Sequence, residues 1–194
     1  MATNSELARL GVTGALWVAP QGTAMPTDLD TWPDGFEDLG YISDDGITES
    51  VDENTEEFTP WQSNTPIRTE ITSSTKTFQC TLWESKASTV GLFYRVAQSE
   101  MSTAGEVVSF DEKGKPARDP HTFGIDVIDG TYHRRIIIPY GEVTERGDIS
   151  YKSDEMIGYE ITISAYPSSD GVSVRRLFQE GWTPAAVEAA GTTA

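Results

Sequence analysis

Apolar and polar residues alternate at period two in several separate runs, and this leaves few options for the fold. Phe78, Cys80 and Leu82 alternate with Thr77, Gln79 and Thr81. Tyr159, Ile161, Ile163 and Ala165 alternate with Glu160, Thr162 and Ser164, and Phe123, Ile125 and Val127 with Gly124, Asp126 and Ile128. Successive side chains of a strand point to opposite faces, so each run is predicted to be a half-buried antiparallel strand. Asp129-Gly130 predicts a two-residue turn into TYHRRIIIPY (131–140), because such turns favour residues tolerant of positive φ. Further strands are predicted at 14–19, 38–43, 47–58, 66–72, 106–110 and 141–151. Asp45-Gly46 and Arg146-Gly147-Asp148 read as punctuation between or within them.

One segment breaks the pattern. SKASTVGLFYRVAQ (85–98) spaces Val90, Phe93, Tyr94 and Ala97 at i, i+3, i+4 and i+7, which predicts a helix over about 86–98 with Ser85 as its N-cap. A second short helix is predicted at 173–180. The predicted fold is mainly β: an antiparallel β-sandwich or partial barrel, carrying one packed α-helix and a long projecting hairpin or loop. The chain, residues 1–194, suits a single domain. Two segments resist packing into one core, a Pro/Gly-rich loop at 20–36 and an acidic excursion at 43–65. A loose, alanine-rich segment is expected at about 181–194.

Charge narrows the function. The net charge is −17, and no Lys or Arg stands between Arg9 and Arg68, an interval holding twelve Asp and Glu. Tight binding to nucleic acid draws on clustered cations that displace counterions, so this chain is expected to repel DNA and anionic membranes rather than grip them. The single cysteine, Cys80, excludes an internal disulfide and reads as a small core side chain. The N-terminal residues show no secretory signal and no run is long enough to span a bilayer, so synthesis and folding in a host cytoplasm are expected.

The sequence offers no catalytic, cofactor-binding or metal constellation. Its carboxylates are too many and too clustered to single out a glycosidase pair. Aligned as a calcium loop on Gly46, residues 41–52 begin with Tyr41 and end with Asp52, so the first oxygen ligand and the closing bidentate Glu are both missing. His121 and His133 read as strand decoration, with no HExxH or GxSxG context. EKGKPARD (112–119) lacks phosphate-loop spacing and reads as a solvent hairpin tip. Its Lys113, Lys115 and Arg118, with Arg134-Arg135, form basic patches that could complement the acidic segment of another copy.

The order of parts then becomes informative. In residues 39–96, LGYISDDG leads into an acidic excursion ending in Phe58-Thr-Pro-Trp61. An Arg68-containing strand, the alternating FQCTLWE strand and a helix follow. This succession resembles the major tail protein, or tail tube subunit, of long-tailed, non-contractile bacteriophages, although an inner tube of a contractile tail could use the same protomer. The resemblance covers the middle third of the chain, and its specificity lies in the order of degenerate motifs. It implies a structural virion protein that assembles with itself into stacked, hexameric rings, meets other tail proteins at the tube ends, and lets DNA pass without specific binding. It also suggests which residues face a lumen: Arg68, Glu70, Gln79, Thr81, Glu160 and Thr162, on the polar faces of amphipathic strands. Residues 43–65 would be an inter-subunit arm, with Phe58 and Trp61 as apolar anchors and Pro60 stiffening the approach. The competing readings are a non-enzymatic β-sandwich binding or virion-decoration module, whose aromatic platform would draw on Trp17, Trp32 and Trp61, and a carboxylate hydrolase.

Overall fold

The computed structural model describes residues 7–179, so the C-terminal segment at 181–194 lies outside the described residues. Ten strands and one α-helix follow each other: β1 (Thr13–Pro20), β2 (Glu37–Asp38), β3 (Ile42–Phe58), β4 (Arg68–Leu82), α1 (Ala87–Tyr94), β5 (Ser102–Ala104), β6 (Val107–Ser109), β7 (His121–Asp129), β8 (Tyr132–Arg146), β9 (Tyr159–Ala165) and β10 (Arg175–Phe178). Eight of the strands form one antiparallel sheet in the order β2-β1-β7-β8-β9-β4-β3, with β10 added beside β8. The mainly β expectation holds, as a strongly folded sheet rather than a closed barrel.

The fold turns on β8. One edge of β8 pairs with β7 along Tyr132–Ile138. The other edge pairs first with β10, through Arg134–Ile137, and then with β9, through Gly141–Arg146. The two halves of the sheet close over one core, in which Leu16, Val18, Phe123, Ile125 and Ile138 meet Phe78, Cys80, Leu82, Val143, Ile161 and Ile163. Cys80 is buried there as expected, and burial pushes its thiol pKa up to about 12.

Several boundaries differ from the sequence reading. The helix predicted at 173–180 does not form over its described residues, 173–179: Arg175–Phe178 is a strand, because that stretch of β8 beyond the reach of β9 has backbone groups that need partners. Asp45-Gly46 does not separate two strands. Gly46, at φ +69, lies inside β3, in a bulge where the four residues between Ile42 and Ile47 oppose the single Thr81 between Leu82 and Cys80. The predicted strands 66–72 and 77–82 are one, and β8 runs unbroken from TYHRRIIIPY (131–140) into the strand predicted at 141–151, ending at Arg146. The turn after β7 falls on Gly130-Thr131, one residue later than expected, with Asp129 paired to Tyr132. EKGKPARD is part of the connection from β6 to β7, not a hairpin tip.

The helix is shorter than predicted. Arg95 takes the left-handed conformation (φ 55, ψ 47) while its N–H still bonds Gly91, which ends the helix before Ala97. Ser85 does not cap it: the Ser85 hydroxyl lies 2.9 Å from the Tyr159 hydroxyl, and the N-cap is Lys86 without a side-chain bond. The buried face is Ser88, Thr89, Gly91, Leu92 and Phe93, and Thr89 donates to the Leu39 carbonyl at 3.1 Å.

The loop at 20–36 has an anchor that the sequence reading missed. Register places Asp126 of β7 opposite Arg135 of β8 on the outer face of the sheet. Arg135 Nε donates to Asp126 at 2.8 Å, and its Nη atoms reach the Asp28 and Asp30 carbonyls at 3.2 and 2.9 Å. Trp32 lies over the guanidinium at 4.1 Å and donates its indole N–H to Asp126 at 2.7 Å, while stacking on Trp17. A Cβ on Gly124 would stand 2.0 Å from the Trp32 ring, so only glycine admits the indole here. Arg135, 2% exposed, is therefore an internal clip, not part of a basic patch offered to another copy.

Removing one partner of a buried ion pair leaves an uncompensated charge, which costs about 3–5 kcal/mol. Asp126→Asn is expected to lose stability of that order in urea unfolding. Cleavage within 21–36 by a nonspecific protease should accelerate alongside it.

Candidate assembly surfaces

The acidic excursion is a two-stranded ribbon. β9 pairs with β4 only from Lys76 to Leu82, so Asp52–Phe58 and Arg68–Thr75 continue past the sheet as a hairpin paired only within itself. Seven extended residues beyond Val51 reach about 23 Å at ~3.3 Å per residue. Between 48 and 75, Pro60 is the one residue that is not exposed. Order comes from the backbone ladder and from polar cross-links: Asn54 to Ser73 at 2.8 Å, Ser74 to Glu53 at 3.1 Å, and an Arg68–Glu70 pair.

The tip, 59–67, is closed by Ile67 N–H bonding the Phe58 carbonyl at 3.0 Å and by a turn from Pro60 to Ser63. Trp61 is 95% exposed and Phe58 43%, with Ile67 and Ile71 also open to solvent. Trp61 makes no use of its own domain's core. Full burial of such an aromatic side chain removes about 150–250 Å² from water, so the tip holds unspent apolar surface.

Strand alternation alone would put Arg68 and Glu70 on the face opposite Gln79 and Thr81, since their numbers differ in parity. The ladder corrects this. Asn54 pairs with Ser73 and Thr55 with Ile71, so Thr72 is an extra residue that shifts the parity of β4. Phe58, Glu56, Asp52 and Thr48 of β3 then run along one face, opposite Arg68, Glu70, Thr75 and Gln79. Gln79 neighbours Thr162, Thr81 neighbours Glu160, and Gln79 bonds the Glu160 carboxylate. All six residues singled out from the sequence thus share one polar face. Thr81, Glu160 and Thr162 are only half exposed, because Gly147 packs against Glu160 and Gly158 against Thr81.

A family model described as phage tail tube protein matches residues 1–187. The chain belongs to the phage tail tube protein family. It is accordingly a structural component of a virion tail, not an enzyme. Among solved structures, this tail tube protein is similar to a chain of the virion of a native gene transfer agent particle. The identity is 14% over 86% of this chain and 96% of that one, with a TM-score of 0.41. It is also similar to a chain of the anti-feeding prophage baseplate, at 11% identity over 91% and 97% of the two chains and a TM-score of 0.48. No curated protein matches the sequence.

Other sites weighed from the sequence do not come together around the tail tube protein's surfaces. Trp17 and Trp32 are stacked under the 20–36 loop and Trp61 stands at the arm's tip, so the three make no common aromatic platform. His133 Nε2 lies 2.9 Å from Asp126, in the Arg135 cluster, and His121 Nε2 lies 2.9 Å from Asp119. Among the described residues no group of three His, Cys, Asp or Glu is placed to hold a metal ion. A cavity of about 790 Å³ is the open seam between β1 and the bulged start of β3, where the sheet stops short of closure. Of the basic patch, Lys113 pairs with Glu100 at 2.8 Å and Arg118 with Glu142 at 3.0 Å.

Because the tip packs on nothing in its own protomer, Trp61→Ala should fold as the wild type does. Surface changes of this kind usually stay within about 0.5 kcal/mol. Unchanged urea midpoint and slope would place Trp61 outside the fold's own energetics, and a large loss would place it inside.

Proposed function

We propose that this tail tube protein assembles into hexameric rings that stack into a non-contractile tube for DNA delivery. Residues 43–65 act as the arm between subunits, with Phe58 and Trp61 as apolar anchors and Pro60 as the stiff approach. The observation that carries this reading is the ribbon itself, a hairpin that pairs fully along its backbone yet leaves its large apolar side chains uncovered. Its seven carboxylates between Ser43 and Phe58 keep free protomers soluble and apart until the anchors engage.

Arg68, Glu70, Gln79, Thr81, Glu160 and Thr162 line the lumen in this reading. Their shared polar face supports it, as does the net charge of −17 carried by every copy. The one cation among them pairs with Glu70, so the wall offers moving DNA little to displace its counterions and little to hold it.

Negative-stain electron microscopy of purified protein, across a concentration series and with tail-initiation components added, is expected to show hollow rings or tubes. Trp61→Ala should remain a folded protomer and fail to extend them. A wild-type protein that stays monomeric with those components present would end the tube reading and favour a binding module. Separately, Glu70→Lys with Glu160→Lys is expected to slow DNA ejection at unchanged tail length. Normal ejection kinetics would remove the electrostatic account of the lumen.

A further inference from the structure

The arm's tip is uncovered, and the surface around α1 holds groups without partners. Ser88, on the buried face of α1, has a hydroxyl with no hydrogen-bond partner. It lines a cavity of about 360 Å³ whose walls are largely Val18, Leu92, Val96 and Ala97. Its rim carries Glu37 and Asp119. Val96 and Ala97 form a ridge, and on its far side lies a second groove of about 480 Å³ that includes Arg95 and Arg146.

That second groove carries Arg95, Lys113, Arg118 and Arg146 beside Glu100, Asp111, Glu112 and Asp119, and Arg95 is the cation in it with a buried nitrogen left unpartnered. Arg95, the one non-glycine with positive φ among the described residues, has a buried Nε without a partner, although its Nη2 donates to the Val143 carbonyl. Burial, and then the charge of Arg95, hold the Arg146 guanidinium below its usual pKa, even with Asp119 and Glu112 opposing that shift. Glu100 is engaged with Lys113, and Glu142 binds Arg118 at 3.0 Å while standing 3.8 Å from Arg95.

The arm carries the complementary set. Residues 59–67, TPWQSNTPI, have no charge, so the acidic rim of the first cavity does not repel them. Trp61 supplies an exposed aromatic body and an indole N–H, which can only donate. Glu57, immediately behind the tip, makes no ion pair with any described residue.

We propose that the arm of a second copy docks astride the Val96–Ala97 ridge. Trp61 enters the 360 Å³ cavity and donates to the Ser88 hydroxyl, while Glu57 meets Arg95 and Arg146 in the neighbouring groove. The inference rests on the arm reading above and adds the surface that receives the arm. One aromatic anchor and one carboxylate bury far less than the roughly 800 Å² per partner of a stable complex. A single contact is therefore weak and reversible, and becomes firm only when repeated through an assembly.

The test uses full-length chains. Gln62→Cys and Ser99→Cys, both outside the cavity lining, are made in separate chains, co-assembled and treated with a short bismaleimide. Cys80 is buried and stays unreacted. Heterodimers cross-linked only in the assembled fraction are expected. In parallel, Arg146→Glu should raise the concentration needed for assembly at least about tenfold, as for a partly desolvated ion pair. Adding Glu57→Arg to Arg146→Glu should restore it. Tubes of normal length without the cross-link overturn the docking and leave the tube reading intact. Cross-linking without charge-swap rescue overturns the carboxylate–arginine half. Absence of tubes from wild-type protein with initiation components present overturns the assembly reading instead.

Discussion

A single strand, β8, takes backbone partners from both of its edges, and the rest of the molecule is arranged around that requirement. β7 supplies one edge. No single strand supplies the other, so β10 and β9 divide it end to end. An unpaired buried amide or carbonyl costs about as much as a lost hydrogen bond. That cost explains why a short Arg-rich segment near the end of the described chain becomes a strand. It also explains how one sheet can fold over its own core: β8 carries β7 and β1 into one half and β9, β4 and β3 into the other.

Once the sheet is folded in this way, β3 is left at its edge with 17 residues and no neighbour on its outer side. A long flat edge invites pairing with any other chain. β3 meets that hazard with carboxylates at Asp44, Asp45, Glu49, Asp52, Glu53, Glu56 and Glu57, and with a wide bulge at its start. Arg176 of β10 binds Glu49, tying the base of the edge strand to the opposite half of the sheet. Beyond that tie the ribbon has only polar cross-links, so its base is fixed and its tip is not.

Much of this was legible in the sequence because alternation is a local signal. Phe78–Leu82, Phe123–Val127 and Tyr159–Ala165 are strands with the expected faces inward, and Cys80 is where a small apolar residue was expected. Continuity was not legible. Thr72 in β4 and Gly46 in β3 sit in bulges, and a bulge is defined by the partner strand's count of residues, which no single segment reveals. The same limit affected the lumen candidates. Arg68 and Gln79 look like opposite faces by number and share one by register. The Arg135 clip had a faint signal, an aspartate inside the apolar run of β7 and a pair of arginines across the next turn. Reading it required the β7–β8 register and the knowledge that residues 28–32 lie over that face.

The contrast between Arg135 and Arg95 shows how the chain uses its few cations. Arg135 is buried with a carboxylate, two carbonyls and an aromatic face, a nearly complete set of partners, and so it fixes a loop. Arg95 is largely buried with a carbonyl and a distant carboxylate, Glu142 at 3.8 Å, in a left-handed backbone conformation that costs an L-residue roughly 1–2 kcal/mol. A chain with 31 acidic residues has no shortage of carboxylates to complete that set. Several that are unengaged lie on the ribbon that extends away from the same protomer. In the docking proposed above, interactions unmet inside one copy are supplied by the next, which favours assembly without making the free protomer unstable.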